Sequence, residues 1–253
     1  MAEGRQPAED LVVVAGSLND QRPATLPRFS PVTRIAHWTL ALPFLFLLAT
    51  GLLLYVPRLK AIHVGGYRLL PLLHVIAGLA LIVALVVVYL LQPGRRALYR
   101  DLRRLVQLGP GDLAWLRYAG YALLGARVRQ PPTGKFNAGQ KANGLASAVF
   151  TSGLIATGSV LAVNFFTKAV FSTRFVEQVY PLHDLFTIVA IPVVAVHIFF
   201  ATLNPSTRPS LRGMLDGRVD RAWARKHHDR WAAEVEAVET PSVDVAVKDS
   251  GRR

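Results

Sequence analysis

Four long apolar stretches separated by polar segments set the pattern of this chain. They run from about Ile35 to Val56, Leu69 to Gln92, Ala142 to Thr167 and Tyr180 to Leu203. Each exceeds the roughly 20 residues that cross a hydrocarbon core as a helix. Three contain no Asp, Glu, Lys or Arg, and the fourth contains only Asp184, near its start. Backbone groups in lipid must be satisfied within their own segment, so the expected state is helix. The pattern predicts an all-α membrane protein, a four-transmembrane-helix bundle over residues 31–205. A flexible N-terminal extension (1–30) and a basic C-terminal tail (206–253) flank it. Between the second and third spans, Gly111 to Gly125 mixes apolar residues with Trp115, Tyr118 and Tyr121. It reads as an amphipathic helix lying on the membrane surface, or as a soluble helix packed on the tail. Gln130 to Gly134 then breaks the chain before the third span.

Composition sharpens this reading. Of the 253 residues, 52% are hydrophobic, high for a soluble protein. The net charge of +13 is unevenly placed. Arg95, Arg96, Arg100, Arg103, Arg104, Arg117, Arg127, Arg129, Lys135 and Lys141 lie between the second and third spans, and Arg208, Arg212, Arg218, Arg221, Arg225 and Lys226 follow the fourth. The other connections hold only Arg58, Lys60 and Arg68, and Lys168 and Arg174. The positive-inside rule then puts both termini, the long connection and its amphipathic helix in the cytoplasm, with the bundle in the cell membrane. Because the charge lies where topology needs it, no nucleic-acid partner is expected. The first 30 residues lack a basic start followed by an apolar run, so no signal peptide is read there.

Four histidines lie inside the apolar stretches: His37, His74, His183 and His197. An ionisable group at membrane depth is costly and marks function by default. His183 and His197 stand 14 positions apart, about 21 Å along a helix and on nearly one face. Topology puts His74 and His183 near the outer side and His37 and His197 near the inner side. Alone, each could be a structural histidine bonding a neighbouring helix. Four at two matched depths point to bis-histidine ligation of two stacked haems. Cysteine is absent, and the only methionines are Met1 and Met214, so histidine is the remaining ligand for non-covalent haem iron. Gly51 and Gly78 give room for a macrocycle or for close helix packing. His63 falls in the outer loop, and His227 and His228 read as a solvated face of a charged tail.

The strings IAHWT around His37, LPLLHVIAG around His74, GKFNAGQK before the third span, the paired histidines of the fourth, and GMLDGRVDRAWARKHHDRW after it resemble the gamma subunit of membrane-bound formate dehydrogenase. The broader group holds the b-type cytochromes of nickel–iron hydrogenases and thiosulfate reductases, and the resemblance covers about Pro31 to Trp231. It implies a membrane anchor for an iron–sulfur subunit and a molybdenum- or tungsten-containing catalytic subunit. Two haems b would be held by His74 with His183 (outer) and His37 with His197 (inner), and electrons would pass inward to a quinone of the membrane pool. The chain would have no substrate-oxidising site of its own. The family's quinone-proximal amides correspond to Asn137 and Gln140, whose other reading is a helix N-terminal cap. Asp184 departs from the family's usual small residue after the histidine; interfacial water, the adjoining ligand or a partner subunit are its candidate neighbours. The alternatives are the equivalent subunit of a hydrogenase or sulfur-compound reductase, a haem-free anchor, or a transporter. Histidines away from the midplane argue against transport.

Overall fold

The computed structural model describes residues 23–167 and 170–239. Four helices are long and apolar enough to cross a membrane. Helix α1 spans Pro31–Leu53. Helix α2 spans Leu69–Val86 and continues through a π turn over Val87–Leu91. After α3 (Arg95–Val106) and α4 (Pro110–Leu123) come α5 (Ala138–Thr167) and α6 (Thr173–Ile198), the last continuing through a second π turn over Phe199–Leu203. Helix α7 (Arg221–His227) and helix α8 (Asp229–Glu239) complete the chain's described part. Strand β1 (Thr25–Pro27) pairs antiparallel with β2 (Arg218–Asp220), Leu26 opposite Val219.

Three of the spans begin earlier than hydropathy alone places them, because polar caps start a helix before its apolar face does. The Ser30 hydroxyl accepts from the Thr33 amide at 3.2 Å, with Pro31 at the first helical position. Ser172 accepts from Phe175 and starts α6. Asn137 does the same for α5.

Helices α1 and α2 pack as one hairpin, α5 and α6 as another, and α2 meets α5 between them. Large apolar side chains such as Leu42, Phe46, Ile76, Val83, Leu185 and Ile188 point outward and are exposed. Lipid accepts such a surface, and small residues let the backbones approach. At Gly153 a Cβ would stand 2.5 Å from the Phe186 ring, so any larger residue would have to displace that ring from this α5–α6 contact.

The long connection is more ordered than its sequence suggests. Helix α3 carries Leu98 into a cluster with Val32, Ala36 and Val88, tying it to α1 and the end of α2. Helix α4 lies on α5, where Trp115 would stand 3.0 Å from a Cβ at Gly139.

Two readings of the flanks are corrected. The described part of the N-terminal extension is built into the structure: Leu26 is fully buried with Val219, Ala224, Trp231 and Ala232 in a second small core. The tail contributes β2, α7 and α8 to it, and His228 is 1% exposed rather than on a solvated face. Residues 1–22 and 240–253 lie outside the described residues.

Candidate cofactor site

The four membrane histidines come together in two facing pairs. His74, near the start of α2, faces His183 of α6 with ring centres 6.4 Å apart and planes at 86°. His37, in the second turn of α1, faces His197, near the end of α6, at 6.2 Å and 50°. The 14-residue spacing on α6 separates the pairs by about four turns and keeps them on similar faces. The fit to a metal between the rings can be tested directly. Metal–imidazole bonds of about 2 Å on each side, plus the radius of each ring, need ring centres roughly 6 Å apart. Both pairs meet this.

The His74–His183 pair has a further feature. His74 Nδ1 lies 2.9 Å from Thr50 Oγ1, and His183 Nδ1 lies 2.8 Å from Thr157 Oγ1. The sequence reading missed both threonines; a repeated Ala-Thr-Gly in α1 and α5 was the signal available. Glycine follows each threonine, with its missing Cβ aimed at the histidine: 3.4 Å from His74 Cε1 at Gly51 and 3.3 Å from His183 Cε1 at Gly158. Gly78 meets only Leu47, at 3.9 Å. In the other pair, His37 packs edge-on against Trp38. Its Nδ1 is buried without a partner among the described residues.

Asn137 and Gln140 sit at the α5 N-terminus near the His37 end of the bundle. They form a reciprocal cap: the Gln140 amide donates to Asn137 Oδ1 at 2.8 Å, and the Asn137 amide to Gln140 Oε1 at 3.0 Å. Both side-chain oxygens are thereby used, and the amide NH2 groups remain as donors. Asp184 lies within hydrogen-bonding reach of the Tyr55 hydroxyl. His63 is exposed and bonded to the Ala61 carbonyl.

Charged residues fasten the polar end. Asp101 of α3 accepts from the Thr33 hydroxyl at 3.0 Å and pairs with Lys135. Burial lowers the Lys135 pKa, against the pull of Asp101. Arg28 is sandwiched among Trp223, Trp231 and Phe29, and donates to the Lys135 carbonyl at 3.0 Å. His228 donates from Nδ1 to the Gly134 carbonyl at 2.8 Å and accepts from Arg28 on Nε2 at 3.0 Å. Trp38 Nε1 donates to the Met214 carbonyl at 2.9 Å, tying the tail to α1 beside His37.

Four apolar spans define a multi-pass membrane protein with facing imidazoles inside its bundle. The chain belongs to the prokaryotic cytochrome b561 family, which matches residues 28–217. It is 27% identical over 212 residues to the cytochrome b556(Fdn) subunit of the nitrate-inducible formate dehydrogenase of Escherichia coli K12, covering 82% of this chain and 90% of that one. The cytochrome b556(fdo) subunit of formate dehydrogenase from the same strain is 27% identical over 217 residues, covering 85% and 95%. The formate dehydrogenase cytochrome b556 subunit of Haemophilus influenzae is 25% identical over 236 residues, 92% of each chain. These relatives bear out the resemblance read from the sequence. Fold and family make this chain a membrane cytochrome b with an electron-transfer role, and haem b is the cofactor of that class.

Proposed function

We propose that the chain is the membrane-anchoring di-haem cytochrome b subunit of a formate dehydrogenase, passing electrons from an iron–sulfur subunit to a quinone. The observation that carries this reading is the two facing imidazole pairs, 6.4 and 6.2 Å between ring centres, on helices built to cross a membrane. His74 and His183 would hold the outer haem, and His37 and His197 the inner one. When bound, the two groups supply one-electron carriers at two levels of the bilayer. The names of the relatives favour a formate dehydrogenase, with its iron–sulfur and molybdenum- or tungsten-containing subunits, over a hydrogenase or sulfur-compound reductase.

The remaining residues support an inward direction. The basic connection and tail favour the cytoplasm for both termini, with α4 on that face of the cell membrane. Asn137 and Gln140 belong to the same end. Their amide NH2 groups would donate to a quinone carbonyl and stabilise the charge it gains on reduction, while their oxygens cap α5. Protons for the quinone would then come from the cytoplasm.

The test is a haem assay with oxidised and dithionite-reduced spectra of the protein purified in detergent. Two low-spin b haems per chain are expected, and His74→Ala and His37→Ala should each remove about one. A folded, membrane-inserted protein from haem-replete cells that carries no haem would overturn the reading.

A further inference from the structure

We propose that Thr50 and Thr157 are a matched pair of positioning residues that fix the two outer imidazoles in one tautomer and orientation and hold the outer haem at a lowered potential. The inference rests on the di-haem reading above and goes beyond the identity of the ligands.

An internal repeat carries it. Residues 47–54 read LLATGLLL in α1, and residues 154–161 read LIATGSVL in α5. Each octapeptide sits on the first helix of a hairpin, and the histidine it touches sits on the second, 24 positions after Thr50 and 26 after Thr157. Both second helices end in a π turn, then Gln92-Pro93 or Asn204-Pro205. The two hairpins therefore present the same device from two sides. The inner pair lacks this symmetry. Counting from the threonines and histidines of the repeat, Gly144 corresponds to His37 and Val88 to His197.

The hydrogen-bond inventory sets the proton positions. Thr50 Oγ1 is 2.9 Å from the Phe46 carbonyl, and Thr157 Oγ1 is 2.7 Å from the Gly153 carbonyl, each one turn back. A hydroxyl has one proton, and a carbonyl can only accept. All three atoms are satisfied when the threonine proton goes to the carbonyl and the histidine Nδ1–H goes to Oγ1. Nε2 then keeps its lone pair for a metal. Thr50 and Thr157 are both buried, so water does not substitute for either partner. The glycine after each threonine meets the Cε1 edge of the same ring. A nitrogen held by Thr and an edge resting on Gly fix each ring plane, and the two planes stand at 86°.

Orientation and potential follow together. An imidazole that donates from Nδ1 is a more basic ligand and favours the oxidised metal. Two such donors act on the outer haem. The device therefore lowers the potential of the outer haem, the direction that favours inward electron flow.

The experiment is redox titration and low-temperature EPR of the purified cytochrome carrying Thr50→Val, Thr157→Val or both, with Thr→Ser at each site as the hydroxyl-retaining control. His74→Ala identifies the outer signals. The valine variants should shift the outer haem's midpoint upward, further in the double variant, and broaden its low-spin EPR signal. The inner haem should not move, and serine should restore the wild-type values. An unchanged outer haem in the double valine variant overturns the proposal, as does an equal shift with serine. If valine expels the outer haem, the serine variants decide: retention at the wild-type potential supports the proposal, and loss overturns it. A wild-type protein without two haems fails the di-haem reading instead, before any threonine is changed.

Discussion

His228 shows how a residue can be chemically ordinary in sequence and decisive in the structure. Its two ring nitrogens join three distant segments: Arg28 before α1, Gly134 before α5, and the α7–α8 corner. Burial, aided by the Arg28 charge, pushes its pKa down to about 3. The unfolded imidazole titrates near 6.5, so between those values the unfolded state holds a proton that the folded state refuses. Stability from this site is therefore full above about pH 6.5 and is lost as pH falls toward 3. The loss by pH 5 should be about 2 kcal/mol. Thermal unfolding of the Trp223–Trp231 core, followed by tryptophan fluorescence, should show a lower midpoint at pH 5 than at pH 7. His228→Asn, which has no proton to gain in this range, should flatten most of that dependence. Nothing in RAWARKHHDRW distinguishes His228 from its neighbour. His227 stacks on Trp223 in a half-buried position, and which histidine turns inward depends on the chain break between α7 and α8. The membrane histidines were legible because apolar surroundings made each of them conspicuous.

At the scale of elements, hydropathy located the bundle because nothing but helix is tolerated in lipid. It misplaced helix starts, since Ser30, Asn137 and Ser172 are polar and the caps they form lie outside the apolar run. It also hid the hairpin repeat, an eight-residue likeness in a leucine-rich background. The α5 N-terminus is where cap and chemistry compete for the same side chains, and they can be separated. Asn137→Ser and Gln140→Glu keep an oxygen for each capping bond and remove the amide donor. Thermal stability should change by less than about 0.5 kcal/mol, while Asn137→Ala, which loses the cap, should cost about 1 kcal/mol. Quinone reduction by the assembled complex should fall tenfold or more in both cap-retaining variants. Activity unchanged in both would leave Asn137 and Gln140 as caps alone.

Over the whole molecule, the distribution of cations makes a prediction that the fold itself does not. The α3–α4 connection and the tail carry most of the arginines, and α3 alone presents Arg95, Arg96, Arg100, Arg103 and Arg104. The hairpin between α1 and α2 holds only Arg58, Lys60 and Arg68. Lys and Arg near span ends are retained on the cytoplasmic side, so this asymmetry sets one orientation. The packing reinforces it: β1, α7 and α8 close into one small core with the long connection, and that end must lie on a single side of the bilayer. The chain has no cysteine, so an introduced one is the sole target for a thiol reagent. Val64→Cys, in the exposed connection between α1 and α2, should react with an impermeant maleimide in intact spheroplasts. Leu124→Cys, exposed after α4, should react only once the membrane is opened. The opposite labelling would reverse the molecule, put the Asn137–Gln140 end outside, and turn quinone reduction toward the wrong supply of protons. Labelling as expected fixes His74 and His183 as the outer pair, and with it the side from which electrons enter.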